Sequence, residues 1–440
     1  PNTSRKMATA VHLFVGIAAL ALAMAAPPPA PSCHDWPQTC PGTLPKMKQT
    51  WQMNLSTIIM PCNDTGFTDP QSTLGWGIVD FDWSNAKGTG SADGWAKHRP
   101  MDDEELLFKQ VQMTTAATPG TTVWVYRNTV YGYPWYTDVR ETLEDPAYAD
   151  WYFKFKPDGP WTSPKCDAAQ PHLCSDFYHS QEQSPGYPHG DGDCLAPGCD
   201  CGQVPCGFYV WNHSSTTVVK GQSFQDWFIH SYVLNKVGSS PLVSGFFWDD
   251  VWNPQCNIHD QVKNTCEDMG LTSADLVQLT KDYQANMAAL RSAVLDAGKF
   301  AWQMLWTGGA PDQIGGTGLG PQVSKGNCAA QLRYLCNASS PAQTRAMAYG
   351  LNTHDPSVLP DLKQDLASFL LIRGPYSWLG HGWMGCSREY FFPPEFNEDY
   401  GVPSALCAET ATGSGVFTRD FSKSTVQMDC NTWEGTITMK

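Results

Sequence analysis

The chain has 440 residues and a formal net charge of −15, which makes nucleic acid and anionic membrane surfaces poor partners. Aromatic residues are plentiful, with 18 Trp, 16 Tyr and 19 Phe, a supply that serves a core and also suits stacking on sugar rings. Beyond residue 26 no stretch is apolar and long enough to span a bilayer.

Residues 7–26 (MATAVHLFVGIAALALAMAA) read as a signal peptide. Arg5 and Lys6 precede a short apolar run that ends in an Ala23-Met24-Ala25 cleavage site. Met7 is then the expected start, with Pro1–Lys6 as upstream translation. Export agrees with 16 Cys, an even number, all beyond this segment. It also agrees with glycosylation sequons at Asn54, Asn63, Asn212 and Asn337. Residues 27–55, rich in Pro and Cys, read as an irregular lead-in, and residues 56–440 as one barrel domain.

Within that domain Ser56–Pro61 reads as a first strand, followed by Gly75–Trp83 (GWGIVDFDW), an apolar run that ends in two acids and a Trp. On a strand, Asp80 and Asp82 share one face. Asp102–Thr118 reads as a helix stopped by Pro119-Gly120, and Thr121–Val130 as a β-branched strand. Tyr136–Phe155 reads as helix broken at Asp145-Pro146. Residues 157–207 are rich in Gly, Pro and Cys without a clear period, and are expected to be a disulfide-stapled insertion. Cys194, Cys199, Cys201 and Cys206 lack paired zinc-knuckle spacing, so disulfides are expected there rather than metal.

Phe208–His213 reads as the next strand and Phe224–Val237 as a helix. The stretch Leu242–Trp252 (LVSGFFWDDVW) is the most informative in the chain. A continuous apolar run suits a strand covered on both faces, yet it ends in Asp249 and Asp250. Carboxylates are costly to bury unless they are paired or used. Thr272–Ala297 is the clearest helix, with a capping-box start at Thr272 and Asp275 and a stop at Gly298. Further strands are expected at Phe300–Trp306, Met347–Asn352 and Leu370–Gly374, a helix at Leu362–Phe369, and a β-hairpin at Gly415–Asp429. At least seven strands alternating with helices argue for an α/β fold, a (β/α)8 TIM-like barrel.

In such a barrel the groups that follow the strands ring one mouth. They are Asp80, Asp82 and Trp83; Arg127 and Asn128; Trp211, Asn212 and His213; Asp249, Asp250 and Trp252; Gln303 and Trp306; Asp355; and Arg373, Tyr376 and Trp378. Carboxylates, amides, cations and indoles make up the inventory of a sugar site. Glycoside hydrolysis uses two carboxylates, one kept protonated by burial or a like-charged neighbour. One role falls to Asp249 or Asp250, of which alternation lets one face the axis. The other falls to Asp82, with Asp80 and Asp355 in reserve. The sequence has no HExxH pair, G-x-S-x-G elbow or P-loop, so no metal and no cofactor is expected.

GFFWDDVW resembles the G-[FI]-[FH]-x-D-D strand of glycoside-hydrolase-like barrel proteins. IVDFDWSNAK, VWVYRN, PWYTDVRETLEDPAY, CDCGQVPCGFYVWNH and DYGVP are similar to stretches in a set of exported proteins of microbial eukaryotes. The resemblance runs from about Thr57 to the end. It implies a (β/α)8 barrel and a carbohydrate substrate, and it assigns no residue a role. Two functions are therefore expected in competition: a secreted glycoside hydrolase, or a non-catalytic carbohydrate-binding protein on the same scaffold.

Overall fold

The computed structural model describes residues 51–59, 66–83, 95, 98–157, 175–180, 200–214, 217–250, 252, 265–303, 323–338, 340–344, 347–350, 359, 361–382 and 392–440. The expected signal peptide and most of the Cys-rich insertion lie outside them.

The elements in chain order are β1 (Thr57–Ile59), β2 (Ile78–Phe81), α1 (Asp103–Ala117), β3 (Thr122–Asn128), β4 (Tyr131–Gly132), α2 (Thr137–Glu144), β5 (His179–Ser180) and β6 (Phe208–Val210). There follow β7 (Val218–Val219), β8 (Gln222–Ser223), α3 (Phe224–Trp227), β9 (Val243–Asp249), α4 (Thr265–Asp268), α5 (Ser273–Asp296) and β10 (Phe300–Gln303). The chain ends with α6 (Cys328–Leu335), α7 (Pro341–Thr344), β11 (Met347–Gly350), α8 (Leu362–Ile372), β12 (Ser377–Gly382), β13 (Ala408–Glu409), β14 (Val416–Asp420), β15 (Ser424–Asp429) and β16 (Glu434–Met439).

Seven strands form one parallel sheet in the order β10-β9-β3-β2-β1-β12-β11. This is the chain order of a (β/α) barrel, and the sheet curls as a barrel does. Trp124 on β3 lies 5.8 Å from Trp378 on β12 and 5.9 Å from Phe300 on β10, ring centre to ring centre, although neither strand is its neighbour. Phe300 in turn meets Trp378 and Tyr376 at 5.9 and 5.5 Å. Only an inward-curled sheet lets these rings meet, and they plug its N-terminal end. Gly245 makes the plug fit: a Cβ there would come within 2.8 Å of both Trp124 and Phe300.

Along β3 the faces divide cleanly. Trp124, Tyr126 and Asn128 face the axis, in register with Gly245, Phe247 and Asp249 of β9. Val123, Val125 and Arg127 face the helices. α5 begins at the expected capping box, Thr272 with Asp275. α2 is followed, after Asp145, by a 3-10 turn at Pro146–Trp151, as the Asp-Pro break implies.

Two expectations need correction. Phe208–Val210 is not a barrel strand but the centre of a small antiparallel sheet, β4-β6-β5. Leu370–Gly374 is not a strand: Leu370 to Ile372 end α8, every residue from Leu366 to Ile372 is buried, and the strand is Ser377–Gly382. A fully buried helix end and a buried strand have the same apolar spelling. The expected C-terminal hairpin is present as β14–β15, inside a four-stranded sheet, β13-β14-β15-β16. Disulfides Cys328–Cys430 and Cys336–Cys407 tie that sheet region to α6, and Cys201–Cys206 closes a loop in the insertion.

Candidate active site

β2, β3 and β9 carry the site at their C-terminal ends. Carried back beyond the paired residues, the strand register leads from Trp378 through positions 55 and 76 to position 120, yet its ring meets Trp124, four residues further on. The strands therefore climb about four residues over three steps, the stagger of a closing barrel. Register leads from Asp82 through Tyr126 to Phe247. Two steps of the same climb, roughly two to three residues, bring Asp82 level with Asp249. The two acids thus share a layer, contributed by alternate strands.

All four strand-end acids are buried: Asp80 and Asp82 are 1% and 2% exposed, Asp249 and Asp250 6% each. Burial raises the Asp80 carboxyl well above the usual carboxylate range, with Asp82 and Asp249 adding to the shift and Arg127 opposing it. Burial does the same to Asp249, and Asp250 and Asp82 add to it. The Asp250 backbone amide and the Tyr126 hydroxyl pull Asp249 the other way by donating hydrogen bonds to it.

The polar contacts form one network. The Tyr126 hydroxyl donates to Oδ2 of Asp249 at 2.8 Å. Nδ2 of Asn128 lies 2.7 Å from Oδ2 of Asp250, 2.9 Å from the Tyr126 hydroxyl and 2.6 Å from the Tyr133 hydroxyl. The Asn128 carbonyl accepts from the backbone amides of Val130 and Tyr131, which fixes its orientation. Thr129 donates its hydroxyl to the carbonyls of Asp249 and Asp250 at 3.1 and 2.7 Å. Oδ1 of Asp249 has no hydrogen-bond partner among the described residues. Burial and the neighbouring acids raise the Tyr126 and Tyr133 hydroxyls well above their usual range, so both remain neutral donors.

His213 supports this network from outside. Its Nε2 lies 2.8 Å from the Thr129 carbonyl, and its Nδ1 faces the Asn286 amide at 3.1 Å. Burial lowers it to about 4, so the ring is neutral, with Nε2 donating and Nδ1 accepting. Trp83 packs against Tyr133 and Trp135 at 5.3 and 5.2 Å, an aromatic wall beside the acids.

Several other residues expected at the mouth have their side chains engaged elsewhere. Arg127 faces outward, fully buried, with its guanidinium 2.7 Å from Glu104 of α1 and held between the Tyr136 and Tyr232 rings. Arg373 caps the end of α8 and donates to the carbonyls of Trp51 and Gln52. Tyr376 and Trp378 belong to the plug at the opposite end. Trp211 is buried among Tyr152, Phe224 and Trp227. Asn212 donates to the Asp150 carbonyl, and Trp252 stacks on Phe153. Gln303 ends β10 in register with Trp248. Trp306 and Asp355 lie outside the described residues. Tyr126, Tyr133 and Thr129 were not expected at the site. The signal for Tyr126 was its place two residues before Asn128, on the same strand face. Among the described residues no three His, Cys, Asp or Glu side chains are grouped to hold a metal ion.

No protein-family model matches the chain, and no curated protein matches it in sequence. Solved structures do align. A debranching enzyme from Nostoc punctiforme soaked with acarbose has 11% identity and a TM-score of 0.41, over 88% of this chain and 90% of that one. The type III pullulan hydrolase from Thermococcus kodakarensis has 11% identity and a TM-score of 0.43, over 87% and 77%. Sucrose 6F-phosphate phosphorylase from Thermoanaerobacter thermosaccharolyticum has 10% identity and a TM-score of 0.42, over 89% and 97%. Likeness at this level transfers neither a site residue nor a substrate.

Proposed function

We propose that this protein is an exported glycosidase acting on a neutral or weakly charged glycan. What supports the proposal is the strand stagger, which sets Asp82 and Asp249 in one layer on alternate strands, together with the electrostatic reach of Asp82 to Asp249. Neighbouring strands are about 4.8 Å apart, so alternate ones are separated by roughly 9–10 Å at the backbone. Inward side chains from both shorten that span toward the roughly 5–10 Å used by paired catalytic carboxyls. Asp249, held protonated by burial and its acidic neighbours, gives its proton to the glycosidic oxygen as the C–O bond breaks. Asp82 supplies the carboxylate that attacks the anomeric carbon or takes a proton from the attacking water. Tyr126, Asn128 and Thr129 hold the acids in place. Export is supported by the apolar leader at residues 7–26 and by the disulfides. The likeness of GFFWDDVW to a strand of glycoside-hydrolase-like barrel proteins supports the glycosidase reading, and the likeness of IVDFDWSNAK and DYGVP to stretches of exported proteins supports export.

One observation favours a carbohydrate-binding barrel without turnover: none of the four acids is more than 6% exposed. A glycan panel separates the two. Hydrolysis by the wild type, absent in Asp249→Asn, supports the glycosidase. Binding without new reducing ends supports the binder.

A further inference from the structure

Asp249 and Asp250 are chemically identical neighbours, yet their oxygens are held differently. Oδ2 of Asp249 accepts from a phenol, and Oδ2 of Asp250 accepts from an amide. The same amide lies 2.9 Å from the Tyr126 oxygen. The bonds therefore have a direction. Nδ2 of Asn128 has no lone pair to accept with, so its two protons are shared among Asp250, Tyr126 and Tyr133, and the only proton of Tyr126 goes on to Asp249. A phenol that accepts a hydrogen bond becomes a better donor. Both groups are buried, which excludes water as a competing partner.

We propose that Tyr126, oriented by Asn128, is a positioning residue that clamps Oδ2 of Asp249 and so reserves Oδ1 as the oxygen that carries and delivers the proton. The role in delivery rests on the glycosidase reading, but the clamp does not. Tyr126 touches no reacting atom. Its effect reaches the substrate through Asp249, whose free oxygen and acidity it sets.

The test uses the full-length mature protein with 13Cγ-labelled aspartate, the Asp249 resonance being identified by its loss in Asp249→Asn. Tyr126→Phe removes the donor and leaves the ring, which packs 5.7 Å from Phe247. Without the donor the ionised form loses a partner, so the Asp249 titration should move up by about one pH unit. Replacing Tyr126 with 3-fluorotyrosine keeps the bond and strengthens the donor, so the titration should move down. Where hydrolysis is measurable, the high-pH limb of kcat should move with the resonance in each variant. Tyr126→Phe should then lose about 10-fold in kcat with KM nearly unchanged. Opposite displacements in the two variants support the clamp. An Asp249 titration unmoved by either, or moved the same way by both, overturns it. A wild type that cleaves no glycan overturns the glycosidase reading alone, because the carboxyl titration still reports on Tyr126.

Discussion

Asn128 donates its side-chain amide to Oδ2 of Asp250 across 2.7 Å, and the bond exists because Asp250 has a left-handed backbone with φ 57°. Strand alternation would send the residue after Asp249 to the outer face. The left-handed turn swings its carboxylate back to the network instead. A non-glycine residue there costs about 1 kcal/mol or more. The Thr129 hydroxyl, bonded to both aspartate carbonyls, holds the turn.

That strain can be measured. Asp250→Gly and Asp250→Ala both lose the bond to Asn128, but only alanine keeps the Cβ penalty. In urea melts the glycine variant should be the more stable of the two by about 1 kcal/mol. Equal stability would mean that the left-handed turn stores nothing.

Arg127 belongs to the layer between sheet and helices, so its removal should damage folding before chemistry. Arg127→Met leaves Glu104 buried and unpaired and should cost ~3–5 kcal/mol. Adding Glu104→Leu should recover most of that loss. A double variant no better than the single one would show that the ion pair is not the reason for the loss.

Asp80 has a folded pKa above its unfolded one. The folded state therefore binds that proton more tightly, and this group's contribution to stability falls as pH rises from near 4 through the folded value. Asp80→Asn cannot ionise. Its stability relative to wild type should rise by ~1 kcal/mol or more between about pH 4 and about pH 8 in chemical denaturation. A difference that stays constant with pH would contradict a buried acid forced to ionise.

Disulfides Cys328–Cys430 and Cys336–Cys407 close separations of 102 and 71 residues between α6 and the C-terminal sheet region. Replacing either pair with serine should cost ~2–4 kcal/mol, largely through the unfolded state. Activity below the new melting temperature should be unchanged. Loss of activity from a folded variant would connect the C-terminal sheet to the site.

The sequence makes the barrel legible because its strands are continuous apolar runs alternating with periodic helices. It shows the acids because charge at the end of such a run is conspicuous. It misplaces Arg127, because a cation after a strand spells the same whether it faces the axis or the helices. It misplaces Arg373 because a buried helix end reads as a strand. Part of the expected sugar platform is core instead: Trp211, Trp252 and Trp378 are packed against other rings, while Trp83 keeps its place beside the acids. Tyr126 is missed because its function lies in one hydrogen bond to a residue 123 positions away. Asp250 is named by the sequence as an alternative to Asp249; that both adjacent acids reach one network is not legible, since only a left-handed backbone at Asp250 allows it.

The pairing of Asp82 with Asp249 is the central claim, and single substitutions test it most directly. Reducing-end release from a glycan panel should be measured for wild type, Asp82→Asn and Asp249→Asn, with folding checked by circular dichroism. The account predicts a hydrolytic wild type and a loss of at least about 10³-fold in kcat for each folded variant. Full activity in either folded variant would contradict it.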